Sequence, residues 1–141
     1  MAMGCDHDAL RHDGQDLSWI RMQLHHLAFR AKNVAATVTF YRDVLRLTVI
    51  KSDDRSTWLA SGSVVVMIEP RAANEPSRST DLDLVAFAIG QEERRLWPAR
   101  LTSMGLTIEA ETESTIYLRD PDGRRVGLSD FVFGDPASPH R

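Results

Sequence analysis

The sequence predicts an α+β fold built from two tandem βαβββ modules, and three observations support this prediction. Residues 24–47 begin with alternating apolar and polar side chains and continue with apolar side chains at helical spacing. Parts of this stretch return about 59 residues later, which indicates duplicated supersecondary units. In each copy, three further short stretches of strand-like residues follow the helix. One strand, one helix and three strands, repeated once, give the predicted fold.

The first repeat opens with a predicted strand over residues 24–31, in which Leu27, Phe29 and Ala31 alternate with more polar positions. Asn33 can then act as an N-cap, because its side-chain oxygen can accept from a backbone N–H of the first helical turn. Apolar residues continue at helical spacing as Val34, Val38, Tyr41, Val44 and Leu45. Three further strands are predicted over residues 47–52, 56–60 and 64–69, separated by polar turn residues.

The second repeat follows the same order. Ala28-Phe29 returns as Ala86-Phe87, and we predict a strand over 83–89, a helix within 91–104 and strands over 106–110, 114–119 and 124–129. Pro98 predicts a kink in that helix or a shorter helix. Gly105 is placed for a left-handed C-cap, and residues 120–123, Asp-Pro-Asp-Gly, are typical of a tight turn.

These elements predict how the chain is divided. We expect an N-terminal extension (1–22), a first module (23–70), a linker (71–81), a second module (82–130) and a C-terminal tail (131–141). The extension holds Cys5, His7 and His12, which lack the spacing of a metal site. Trp19 and Ile20, at its end, could dock on the body of the protein or on a partner.

Composition excludes several classes of partner. The formal net charge is −3, and no basic run is present of the kind that binds nucleic acid. A single cysteine cannot form an intramolecular disulfide. No apolar stretch approaches the roughly 18 residues of a membrane span, and the N-terminus lacks the apolar core of a signal peptide. We therefore expect a cytoplasmic protein without a nucleic-acid or membrane partner.

The chain resembles the vicinal oxygen chelate superfamily, which includes glyoxalase I, bleomycin resistance proteins, fosfomycin resistance enzymes and extradiol dioxygenases. Three motifs, spread over residues 23–130, carry the resemblance: HLAF at 26–29, FYRDVL at 40–45 and YLRDPDG at 117–123. The resemblance implies that the two modules form a cup-shaped mixed β-sheet around a ligand cavity, with helices outside. Arg46 departs from the family, which has glycine after the first helix; a side chain there costs on the order of 1 kcal/mol if φ is positive.

The resemblance also implies four metal-ligand positions, on the first and last strands of each module. In this chain they are occupied by His26, Met67, Leu84 and Gly127, and Glu69 lies two residues beyond Met67 on the same strand face. Leu84 and Gly127 have no donor side chain. Catalytic zinc takes three protein ligands, so we predict no metal and no other cofactor.

We expect the cavity to bind a small organic ligand through His26, Arg30, Met67, Glu69 and Arg125. Arg30 could hold an anionic group of the ligand through its planar guanidinium, or it could pair with Glu69. Trp58 and Trp97 are expected in the core or in a subunit interface rather than in the ligand site. No catalytic residue is predicted, because the chain has neither a GxSxG elbow nor a phosphate loop.

The sequence favours a metal-independent small-molecule binding protein, acting by sequestration or sensing and forming a homodimer. The alternative is a metal-dependent enzyme of the same superfamily: a glyoxalase I-like lyase, a thiol transferase or an extradiol dioxygenase. A third hypothesis is a structural or regulatory protein whose cup is filled by its own side chains. Metal content would separate the first two, and an open pocket would exclude the third.

Overall fold

The computed structural model describes residues 16, 20–76 and 80–134. Cys5, His7, His12 and Trp19 lie outside the described residues, and Ile20 is exposed. The first repeat contains β1 (His26–Ala31), α1 (Val34–Thr39), which continues as a π-helical segment (Phe40–Val44), β2 (Thr48–Ser52), β3 (Thr57–Ser61) and β4 (Val64–Pro70). The second contains β5 (Leu84–Ala88), α2 (Gln91–Ser103), β6 (Ala110–Glu111), β7 (Thr115–Arg119) and β8 (Arg125–Ser129).

The predicted strand and helix at the start of the first repeat are present. Asn33 is the N-cap, and its Oδ1 accepts from the backbone N–H of Ala36 at 2.9 Å. The helix widens into π-helical turns over Phe40–Val44, where the N–H of Leu45 donates to the carbonyl of Phe40 at 3.2 Å. Arg46 then takes a φ of 65°, so a side chain occupies the left-handed position where the family has glycine.

The second repeat differs from the prediction after its helix. Pro98 lies inside α2, which runs unbroken over Gln91–Ser103, so the shorter helix is excluded and the kink at Pro98 stays a prediction. The strand predicted over 106–110 is reduced to Ala110–Glu111, because the N–H of Leu106 donates to the carbonyl of Leu101 at the helix end at 2.9 Å. Gly105, with φ of 77°, makes the predicted left-handed turn between them.

The strands form two four-stranded mixed sheets, which confirms the predicted α+β class. Sheet 1 has the order β1-β4-β3-β2 and sheet 2 the order β5-β8-β7-β6. In each sheet the first and last strands of the repeat are parallel neighbours, and the remaining pairs are antiparallel. The equal order of the two sheets is what a duplicated unit requires. Among the described residues no helix is long and apolar enough to cross a membrane.

A buried polar cluster joins the two repeats. The Tyr41 hydroxyl, in the π-helical segment, donates to Asp120 Oδ2 at 2.7 Å, and the Arg124 guanidinium donates to the same oxygen at 3.0 Å. Asp120 Oδ1 accepts from the backbone N–H groups of Asp122 and Arg124 at 2.9 and 3.0 Å. Burial raises the pKa of Tyr41 well above its ordinary value, and the charge of Asp120 raises it further. The cluster fixes the turn of the second repeat against the helix of the first.

Candidate functional site: the open faces of the two sheets

Each sheet has one face covered by the core and one face left open. In β1 the side chains of Phe29 and Ala31 are buried, whereas His26, Ala28 and Arg30 are exposed. We call the face that carries the exposed residues open face 1. Following the register across β4, β3 and β2, its members are His26, Ala28, Arg30, Val65, Met67, Glu69, Trp58, Ala60, Thr48 and Lys51. Four of the five predicted ligand residues therefore share one surface, while Trp97 is buried in the core.

The same face of sheet 2, open face 2, carries the fifth predicted residue, Arg125. Its members by register are Leu84, Ala86, Ala88, Arg125, Gly127, Ser129, Thr115, Tyr117, Arg119 and Ala110. A cleft of about 180 Å³ where β1 approaches β5 is lined by Ala28 and Leu84, one from each open face, and by Arg125. Open face 1 and open face 2 therefore meet where β1 approaches β5.

His26 has a neighbour that the sequence analysis did not assign to the site. The Nδ1 atoms of His25 and His26 are 3.0 Å apart, and their rings meet edge to face at 80°. One ring donates and the other accepts, since both lie at hydrogen-bond distance. Both side chains are exposed. His25 is therefore a hydrogen-bond partner of His26 on the exposed surface.

Arg30 is held mainly by the carboxylate of Glu75, which lies between β4 and β5. Its Nε donates to the two carboxylate oxygens of Glu75 at 3.0 and 3.1 Å, and its Nη2 donates to Glu75 Oε1 at 2.8 Å. The nearest approach to Glu69 is 3.9 Å. The hydrogen bonds from Arg30 lower the pKa of Glu75. The expected ion pair with Glu69 is therefore present as the longer of two carboxylate contacts, and Glu75 is an additional partner that was not predicted.

Arg125 is likewise engaged. Its Nε donates to Glu109 Oε1 at 3.0 Å, and Arg119 Nε donates to Glu109 Oε2 at 2.6 Å. Hydrogen bonds from Arg119 and then Arg125 lower the pKa of Glu109. The guanidinium of Arg125 also lies over the ring of Tyr117, 4.3 Å from its centroid. Glu109, like Glu75, was missed because it lies in a segment without a motif.

The four family positions do not fit a metal ion in this chain. A Cβ built on Gly127 would lie 3.3 Å from Leu84 Cδ1 and Thr115 Cγ2 and 3.4 Å from Ala86 Cβ. Any side chain at 127 would therefore require these apolar neighbours to shift by a few tenths of an ångström. Met67 offers a thioether, which suits soft metals, and no group of three or more His, Cys, Asp or Glu residues forms within the described part of the chain.

Known proteins resemble this chain in sequence and in structure. The profile of the Glyoxalase/Bleomycin resistance protein/Dioxygenase superfamily matches residues 23–128. Glutathione transferase FosA of Serratia marcescens is 27% identical over 110 residues, covering 74% of this chain and 78% of FosA. Metallothiol transferase FosB of Staphylococcus epidermidis is 25% identical over 123 residues, covering 79% and 84%.

A solved structure gives the same architecture. The fosfomycin resistance protein FosX of Listeria monocytogenes, complexed with Mn(II) and sulfate, matches with a TM-score of 0.69. The match has 18% sequence identity and covers 81% of this chain and 94% of FosX. At that identity the likeness establishes the fold alone.

These relatives overturn the main functional expectation. A metal-independent binding protein is wrong, because both sequence relatives are transferases, which are enzymes. The alternative, a metal-dependent enzyme of the same superfamily, is better supported. FosB is a metallothiol transferase. In this chain, by contrast, Leu84 and Gly127 leave no donor side chain in two of the four family positions.

Proposed function

The chain belongs to the Glyoxalase/Bleomycin resistance protein/Dioxygenase superfamily, and from that membership we propose that it is an enzyme that transfers a small thiol to an electrophilic carbon of a second small molecule. One observation carries the proposal: both sequence relatives, matched over about three quarters of this chain, are transferases, one of glutathione and one of a metallothiol. The open faces carry both charged and apolar side chains, so they can contact two reactants of different polarity.

The chemistry needs a base, and His26 with His25 is our candidate. Thiol attack requires the thiolate, and a free thiol has a pKa of about 8.5. An imidazole accepts the proton near neutral pH. The sulfur then forms a bond to the electrophilic carbon, the bond from that carbon to its leaving group breaks with its electron pair, and the imidazolium returns the proton to the departing atom. No step is assigned to a metal, because the family positions do not fit one.

We also assign a homodimer and a small-molecule substrate. The cleft between β1 and β5 is about 180 Å³, below the 300–1,000 Å³ of typical small-molecule sites, so one chain encloses little of a substrate. Leu82 and Leu84 beside this cleft are 70% and 40% exposed. A second copy placed over the open faces would cover these side chains and close the cup. Light scattering should then give twice the mass of the chain.

The test is a direct search for a thiol adduct. Purified protein is incubated with glutathione and with fosfomycin or chlorodinitrobenzene as electrophile, with and without Mn²⁺, Ni²⁺ or Zn²⁺, and products are identified by mass spectrometry. We expect an adduct with a new S–C bond. His26→Ala should lower the rate of its formation on the order of a hundredfold. Arg95→Gln, at an exposed position on α2, is the matched control. Formation of an isomerised or ring-cleaved product instead would assign the lyase or the dioxygenase, and no product with any metal would reject the transferase.

A further inference from the structure

We propose that Lys51, lying on the ring of Trp58, is the anion-binding group of the substrate cup and takes a carboxylate or phosphonate of one of the two reactants. This inference rests on the proposed function for the identity of the reactants. It assigns a site to a residue pair that none of the motifs contains. Three structural facts carry it: a strand irregularity, the contact with Trp58 and the charge partners of the other cations.

A β-bulge places Lys51 on open face 1. Val49 of β2 pairs with Leu59 of β3, and in a regular ladder Ile50 would pair with Trp58. The register shifts between Val49 and Lys51, so that Lys51 pairs with Trp58 instead. Since successive side chains point to opposite faces, one inserted residue moves Lys51 to the face of sheet 1 that carries Trp58. Bulges are over-represented where a side chain is re-aimed near an active site.

The bulge brings the ammonium group onto an aromatic surface. Lys51 Nζ lies 4.7 Å from the centroid of the Trp58 ring, within the range of a cation–π contact. Trp58 pairs with Met67, and Met67 pairs with Ala28. A row of side chains therefore crosses the whole of sheet 1, from Ala28 beside the cleft to Lys51 at the outer edge. One end of the row is cationic, and the middle is apolar and polarisable.

The other cations of the open faces already have carboxylate partners. Arg30 is held by Glu75, and Arg119 and Arg125 share Glu109. Within the described residues no carboxylate lies within 4.0 Å of Lys51 Nζ. The charge of Lys51 lowers the pKa of Asp53 less than the backbone hydrogen bonds from Arg55 and Ser56 do. The ammonium on Trp58 is thus the cation of open face 1 that remains available to a ligand.

The chemistry of the ligand follows from this arrangement. The Trp58 ring covers one side of the Lys51 ammonium group. The N–H groups on its other side can donate to a carboxylate or phosphonate oxygen. The adjacent Met67 and Trp58 suit a short apolar segment attached to that anionic group. Two reactants could supply such a group: the thiol donor, through a carboxylate, or the electrophile, through its own acidic group. Kinetics with each reactant varied in turn separate the two sources.

Lysine-directed NMR can observe this site in the intact protein. Lys32 and Lys51 are the only lysines in the chain, so reductive methylation with ¹³C-formaldehyde labels two side chains and the α-amine while keeping their charge. The Lys51 signal should be shifted upfield by the Trp58 ring, and Trp58→Leu should abolish that shift. In separate titrations with glutathione and with fosfomycin, the reactant that supplies the anion should move the Lys51 signal and not the Lys32 signal. The diethyl ester of glutathione, which lacks the carboxylates, is the control ligand.

Kinetics of charge variants complete the test. For the reactant that supplies the anion, Lys51→Gln should raise KM about tenfold with kcat within about twofold, since one charge-assisted hydrogen bond is lost. Lys51→Arg should restore most of the loss, and Lys32→Gln is the matched control. If wild type forms no adduct but the Lys51 signal still saturates with the anionic ligand, the proposed function fails and this site stands. If adduct forms while Lys51→Gln leaves both KM values and the titration unchanged, the site is rejected and the transferase stands.

Discussion

The Tyr41 hydroxyl donates a 2.7 Å hydrogen bond to Asp120 Oδ2, and this contact ties the helix of the first repeat to the turn of the second. Both side chains are buried. Asp120 accepts from two side chains and two backbone N–H groups, so its charge is compensated inside the protein. The contact therefore contributes to holding the two repeats together.

Removing the hydroxyl should therefore weaken the fold. We expect Tyr41→Phe to lower the free energy of unfolding by about 2 kcal/mol, the usual loss for a hydrogen bond to a charged group. Urea unfolding monitored by circular dichroism measures it. Tyr117→Phe removes a hydroxyl that has no hydrogen-bond partner among the described residues, and it should change stability by less than about 0.5 kcal/mol. Equal losses in the two variants would contradict the role given to Tyr41.

Leu84 and Gly127 should be energetically coupled. Gly127→Ala adds a Cβ at 3.3 Å from Leu84 Cδ1 and from Thr115 Cγ2, and we expect a loss of about 1 to 2 kcal/mol from overpacking. In a Leu84→Ala background one of these contacts disappears. Gly127→Ala should then lower the free energy of unfolding by at least about 0.5 kcal/mol less than it does in wild type. The four proteins of this double-mutant cycle, unfolded in urea, measure the coupling. Strict additivity would show that Leu84 does not fill the space beside residue 127.

Removing the charge of Glu75 should strengthen anion binding at Arg30. Glu75→Gln removes the bidentate carboxylate, and we expect sulfate to bind on the order of fivefold more tightly at low ionic strength. Perturbation of the Arg30 Nε–H signal on titration with sulfate measures the affinity. Glu69→Gln, whose carboxylate lies 3.9 Å from Arg30, should have a smaller effect. If both variants gained equally, Glu75 would not be the residue that neutralises Arg30.

Glu109 should contribute to stability at neutral pH and not in acid. Its pKa is lowered from an ordinary value of 4.5 by hydrogen bonds from Arg119 and Arg125. Its contribution is therefore complete above that ordinary value and is lost as the pH falls through the folded value. We expect Glu109→Gln to destabilise the protein at pH 7 and to have little effect in strong acid, measured by urea unfolding across this range. Glu92→Gln, 84% exposed at its side chain, is the control and should show no such dependence.

The fold was readable from sequence because both repeats carry the same local signals. Asn33 as a cap and Gly105 as a left-handed turn act within a few residues, so their effect is visible in the chain itself. The strand predicted over 106–110 is shortened because the N–H of Leu106 donates to a carbonyl at the helix end. Apolar alternation does not reveal that hydrogen bond.

The site was harder to predict for physical reasons. The resemblance to the family grouped His26 with Met67, and strand alternation added Glu69; the register brings these three side chains to one face of sheet 1. Glu75 contacts Arg30 across 45 residues, and Glu109 contacts Arg119 and Arg125 across 10 and 16 residues; no periodic pattern marks such pairs. Lys51 could not be assigned to open face 1, because a single bulge reverses which side of β2 its side chain takes.

The position of β2 at the edge of sheet 1 also affects how the protein should be handled in solution. Its outer N–H and C=O groups face no neighbouring strand within the described chain, and Ile50 at the bulge is 56% exposed. An edge of this kind can recruit strands of other molecules and seed aggregation in concentrated samples. Ile50→Lys would place a charge there, and it is the substitution we would choose to keep the protein dispersed.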